Sequence, residues 1–230
     1  MAIPLYLAKT SAEFASNSPN THHLAWMACH FSPYSTGITN LPRHLPRDSL
    51  LILNDRTPPQ GHDPKAVCQA LLETAQRFSC RGILLDFQHH GCDEVVSEAV
   101  KLPCPVAVTE RYAAAFDCPV FLSSQPLSKP LKEYIKTWSG REIWLEAGLG
   151  YEEITVTEKG STFSQLQPSE NEEYPFYEEY LHCRYRTEIT DDQIRFSLYR
   201  GKKELSSLLD EAESLGITLA VGLYQELKEC

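Results

Sequence analysis

Arg81-Gly-Ile-Leu-Leu-Asp-Phe-Gln-His-His90 is the stretch from which the fold can be read. Ile83, Leu84 and Leu85 run directly into Asp86, Phe87 and Gln88. A short, continuous apolar run fits a strand buried on both faces, as in a parallel sheet covered by helices. A carboxylate at the C-terminal end of such a strand, with no polar neighbour before it, points to a site rather than to solubility. Side-chain alternation puts Leu84, Asp86 and Gln88 on one face.

Seven more segments have the same apolar character: 3–8, 23–31, 50–55, 105–109, 119–123, 142–147 and 217–223. Several are followed by helical patterns. Asp63 caps a helix with Pro64 at its first position, and Val67, Leu71, Leu72, Ala75 and Phe78 fall on one side. Residues 93–101 form a second amphipathic helix. Ser128 is expected to cap a third, with Leu131, Ile135 and Trp138 buried. A fourth covers 204–215 and closes at Gly216. Residues 11–22 and 32–47 read as loops.

The rhythm breaks after residue 150. Residues 153–163 read as a hairpin turning at Lys159-Gly160, and 184–189 with 193–199 as another around Asp191-Asp192. An acidic loop, 167–180, separates them. The expected architecture is therefore an α/β fold, a (β/α)8 TIM-like barrel with some helices reduced and a small β-rich insertion between strands 7 and 8. Residues 1–150 would supply barrel strands 1–7, 151–200 the insertion, and 201–230 the last helix and strand. An open doubly wound sheet is the alternative, but no Gly-rich phosphate loop follows the first strand.

Composition narrows the function classes. The chain of 230 residues can bury one sizeable core and carries a formal charge of -10. Residues 151–230 hold 17 acids against 8 bases, so the excess lies in the last third. That disfavours a nucleic-acid partner, which wants a basic stripe, and gives no support to an anionic membrane surface. No apolar run approaches a membrane span, and Met1–Lys9 lacks a basic leader segment, so a cytoplasmic protein is expected. None of the eight cysteines forms a C-x-x-C pair, and reduced structural thiols are expected.

The C-terminal strand ends of a barrel carry its site. Here they supply His30; Asn54, Asp55 and Arg56; Asp86 and Gln88; Glu110 and Arg111; Ser123 and Ser124; Glu146; and Tyr224, Gln225 and Glu226. Asp86, Glu110 and Glu146 are the candidate catalytic carboxylates. His30, Asp55, Arg56, Gln88, Tyr224 and Glu226 are the candidate ligand-binding residues. Each has a plainer alternative. Asp86 could cap loop amides or pair with Arg56 or Arg111, Glu110 and Glu146 could be solvated, and His89 and His90 could be loop surface. A metal set drawn from His30, Asp55, Asp86 and His89 has no supporting spacing, and no cofactor is implied. Trp26, Trp144 and Tyr224 could stack on a sugar, although two of them are mid-strand.

Gly82-Ile-Leu-Leu-Asp-Phe-Gln88 resembles the fourth-strand motif of the family 18 glycoside hydrolases, the chitinase-like barrels, whose pattern is Gly-x-Asp-x-Asp-x-Glu. The spaced positions here are Leu84, Asp86 and Gln88, again on a fourth strand, and that family often carries a β-rich insertion after the seventh. The resemblance implies that Asp86 would assist the substrate's acetamido group. It also implies that the family's proton donor is replaced by Gln88, which has no carboxyl proton to donate. The expectation is a carbohydrate- or small-ligand-binding barrel without the usual glycosidase activity. A cytosolic hydrolase using a carboxylate pair from Asp86, Glu110 and Glu146 is the second reading, and a scaffold that self-associates through the insertion is the third.

Overall fold

The structure is a computed structural model and describes residues 3–15, 23–59, 61–89, 91–123, 125–164 and 173–228. Eight parallel strands close into a barrel: β1 (Leu5–Lys9), β2 (His23–Phe31), β4 (Leu50–Asn54), β5 (Gly82–Asp86), β6 (Val106–Thr109), β7 (Val120–Leu122), β8 (Ile143–Glu146) and β14 (Leu219–Leu223). Pairing of β1 with both β14 and β2 completes the ring. β5 is the fourth barrel strand, and the fold is the expected TIM-like barrel.

Alternation divides each strand between two cores. Tyr6, Ala8, Ala25, Leu50, Ile52, Leu84, Ala107, Phe121, Trp144, Leu219 and Val221 fill the barrel interior. Leu51, Leu53, Ile83, Leu85, Val106 and Val108 face outward to the helices. This double burial is why the strands read as unbroken apolar runs. Gly82 belongs to the inward face, and its lack of a side chain is required there. A Cβ would lie 2.8 Å from the carbonyl oxygen of Pro105 and 2.9 Å from the Trp144 ring. Gly82→Ala is expected to cost about 1–3 kcal/mol by overpacking, visible as a fall in Tm of roughly 3–10 °C.

The helical layer is uneven, with α2 (Pro64–Phe78) and α6 (Lys202–Ser214) its long members. Asp63 caps α2 by accepting from the Lys65 amide at 3.0 Å, and Val67, Cys68, Leu71 and Ala75 are buried beneath it. α3 (Asp93–Ala99), α4 (Glu110–Ala113), α5 (Leu131–Tyr134) and α7 (Tyr224–Leu227) are short. No helix among the described residues is long and apolar enough to cross a membrane.

Local expectations failed at four places. Residues 11–15, read as loop, form α1 (Ser11–Ala15). The cause is a capping box: Thr10 Oγ1 and N both donate to Glu13 Oε2, at 2.8 and 2.7 Å. Ser128 does not cap a helix. It donates through N and Oγ to Glu152, and α5 begins after Pro130, whose ring disfavours helical backbone at Lys129. Ile135 and Trp138 then lie in a 3-10 turn, partly buried. Within 32–47, β3 (Ile38–Thr39) pairs antiparallel with β2. The acidic segment includes β11 (Phe176–Glu178); its residues 167–172 lie outside the described ones.

β9 (Gly150–Thr157), β10 (Gly160–Ser164), β11, β12 (Cys183–Ile189) and β13 (Gln193–Arg200) form a separate antiparallel sheet between the seventh and eighth barrel strands, in the order β10-β9-β13-β12-β11. One face carries Ile154, Val156, Ile194, Phe196, Leu198 and Tyr185 in cross-strand register. Its inner end packs Leu198 and Cys183 against Leu127 of the barrel. Arg184 to Glu204 and His182 to Glu211, both at 2.9 Å, fasten the sheet to α6.

Candidate functional site

Register decides which side chains meet at the mouth. His30, Asn54 and Asp86 are neighbouring Cα partners on β2, β4 and β5. Asp86 follows Leu84 by two residues and Glu146 follows Trp144 by two, so both continue interior rows. Ser123 stands in the same relation to Phe121. The strand ends thus deliver His30, Asn54, Asp86, Ser123 and Glu146 to one opening.

Gln88 lies just past β5 and turns back over it. Its Nε2 donates to Asp86 Oδ1 at 2.8 Å and to Ser123 Oγ at 3.1 Å. Hydrogen bonds from three neighbouring elements hold the backbone there. Asp55, 2% exposed, accepts from the Gln88 amide at 3.1 Å and the His89 amide at 2.6 Å. Thr109 Oγ1 donates to the Phe87 carbonyl at 2.9 Å and Arg111 Nη1 to the Gln88 carbonyl at 3.0 Å. Asp86 therefore pairs with neither Arg56 nor Arg111: Arg111 meets the backbone, and Arg56 is exposed beside Asn54.

The remaining carboxylates differ in their surroundings. Glu110 accepts from Tyr134 OH at 2.5 Å and from the Ser123 amide at 3.3 Å. Glu146 reaches solvent at the opening, while protein crowds its other sides. That burial, followed by repulsion from Asp86, Glu226 and Glu110, pushes its pKa up to about 7. Asp86 is also raised, by burial first, against a lowering from the Gln88 hydrogen bond.

A raised carboxyl pKa has a signed consequence for stability. The native state holds the Glu146 proton between its ordinary value of 4.5 and about 7, where the unfolded chain has released it. Stability therefore declines as pH rises through that window and levels off above it. Glu146→Gln is expected to flatten the decline and to melt above the wild type at pH 8, by a few degrees, in parallel thermal scans.

His30 Nδ1 lies 3.1 Å from the Ala28 carbonyl, and His89, 73% exposed, lies 3.3 Å from Asp55. Tyr224 is turned toward the β1 end, with Lys9 Nζ 4.0 Å from its ring centre. Trp144 is buried in the barrel and Trp26 in the outer core. His90 and Ser124 lie outside the described residues. Among the described residues no three His, Cys, Asp or Glu are grouped to hold a metal ion. Burial holds the thiols of Cys29 and Cys92 protonated, with pKa values pushed up to about 12. Tyr134 was not singled out from the sequence. Its place three residues after Leu131 puts it on the barrel side of the helix, the one signal that could have found it.

Two solved structures share this arrangement of strands. The spore cortex-lytic enzyme SleL of Bacillus cereus matches with a TM-score of 0.53 and 10% identity, covering 96% of this chain and 70% of that one. SleL of Bacillus megaterium QM B1551 matches with a TM-score of 0.52 and 8% identity, over the same shares. The likeness is one of fold. No protein-family model matches the chain, and no curated protein matches it. At such identities the fold relationship carries no side-chain chemistry, which rests on the mouth itself.

Proposed function

We propose that the barrel mouth binds a carbohydrate, of the N-acetylglucosamine type, and does not cleave it by the family 18 route. The observation that carries the reading is Gln88. It stands where the resembling motif has its glutamate, and both of its amide hydrogens are taken by Asp86 and Ser123. It has no proton to give a glycosidic oxygen. The mouth is lined by the polar side chains of His30, Asn54, Asp86, Ser123 and Glu146, which suits a ligand rich in hydroxyl groups, and the SleL enzymes place a cortex-lytic activity on the same fold. A thermal-shift panel of N-acetylglucosamine oligomers tests this. Stabilisation of the wild type that is lost in Asp86→Ala is expected, and a flat response across the panel contradicts it.

One observation favours a hydrolytic second reading. Glu146, its pKa pushed up to about 7 by burial and by repulsion from Asp86, continues an interior row to the same opening as Asp86, so a proton-holding acid and a second carboxylate share the mouth. A hydrolysis rate that falls above pH about 7 and disappears in Glu146→Gln would establish that reading in place of the first.

A further inference from the structure

Glu110 starts α4 at the end of β6, and both of its carboxylate oxygens are hydrogen-bonded within the protein. Oε1 accepts from Tyr134 OH, and Oε2 accepts from the backbone N–H of Ser123. Ser123 is thereby held just past β7, with its Oγ 3.1 Å from Gln88 Nε2. The same nitrogen is 2.8 Å from Asp86 Oδ1. An amide nitrogen carries two hydrogens, one for Asp86 Oδ1 and one for Ser123 Oγ, so the nitrogen side of the amide faces both residues. The planar amide then directs Oε1 away from both, and Gln88 is an exposed residue.

We infer that Glu110 is a positioning residue: through Ser123 it fixes the Gln88 amide so that an acceptor oxygen faces the mouth, and the ligand group seated there is a hydroxyl or an N–H. The sugar identity of that ligand rests on the glycan reading; the orientation of the amide does not. An acid at position 88 would have offered a proton to an ether oxygen. The held amide oxygen instead accepts from a sugar hydroxyl or an acetamido N–H. Without Ser123 Oγ one amide hydrogen would have water as its partner, and rotation about the last side-chain bond would let nitrogen and oxygen exchange places.

The test reads the Gln88 side-chain amide by NMR in the full chain, then titrates a tetramer of N-acetylglucosamine. In the wild type the two amide protons should resonate separately and exchange slowly with water. Ser123→Ala and Glu110→Gln should move one of them toward the free-amide position, while Ser123→Thr, which keeps the hydroxyl, should leave both in place. The tetramer should bind about 5–10-fold more weakly to Ser123→Ala and Glu110→Gln, the order of one lost hydrogen bond, and within about 2-fold of wild type to Ser123→Thr. Amide signals unmoved in both Ser123→Ala and Glu110→Gln overturn the inference. Signals that move although the tetramer binds no form of the protein uphold the positioning role and overturn the glycan reading.

Discussion

Asp55→Ala should lower stability by about 2–5 kcal/mol and remove ligand binding at the mouth. Asp55 is buried, and its two oxygens accept from consecutive backbone amides, those of Gln88 and His89. Alanine strands both donors at the turn where the fourth barrel strand ends. A buried unpartnered donor costs about 1–3 kcal/mol, and water entering near the exposed His89 sets the lower end of the range. Asp55→Asn should recover little, because an amide has one acceptor oxygen and would set its own N–H2 against the second donor. Urea denaturation of the three proteins gives the differences. A loss below about 0.5 kcal/mol, the ordinary range for a surface substitution, would show that the turn holds its shape without Asp55.

Gln88→Glu has the other large expected effect. Gln88 Nε2 is 2.8 Å from Asp86 Oδ1, so the substitution sets a second carboxyl against a carboxyl whose pKa is already raised. Two carboxylates at that separation cannot both ionise easily, and the pair should retain one proton into the neutral range. Carboxyl carbon NMR should show two coupled steps, one of them above the ordinary carboxylate range. Stability should fall as pH rises through the upper step, because the native pair holds a proton that the unfolded chain has released. A retained proton at position 88 is a general acid, a role that contributes about 10²–10⁴-fold in enzymes that use one. Cleavage of N-acetylglucosamine oligomers should rise on the order of 10²-fold over the wild-type background at pH 6. Ordinary, uncoupled titration of both carboxyls would contradict the geometry.

The barrel was legible because its strands are buried on both faces. Residues 50–53 and 83–85 show this plainly, with Leu50, Leu51, Leu53, Ile83, Leu84 and Leu85 at most 1% exposed. The insertion was legible for the opposite reason, since half-covered strands such as Cys183–Ile189 alternate in character. Misreadings came where a local device outweighed composition. Thr10 and Glu13 close a capping box inside a Ser/Asn-rich stretch, and Pro130 delays the helix expected to start at Ser128. At the mouth, strand-end reading named Asn54, Asp86, Ser123 and Glu146, and the strand register places these positions at one end of the barrel. It could not tell their partners. That Asp55 grips loop amides and Glu110 meets Tyr134 depends on side-chain directions across three elements, which no spacing in one segment encodes.

We propose above that the mouth holds a sugar and leaves it whole. Equilibrium dialysis of the N-acetylglucosamine tetramer against the wild type, followed by mass spectrometry of the recovered sugar, tests it most directly. The tetramer should accumulate on the protein side and be recovered intact. Equal concentrations on the two sides, or shorter sugars in the recovered material, would contradict it.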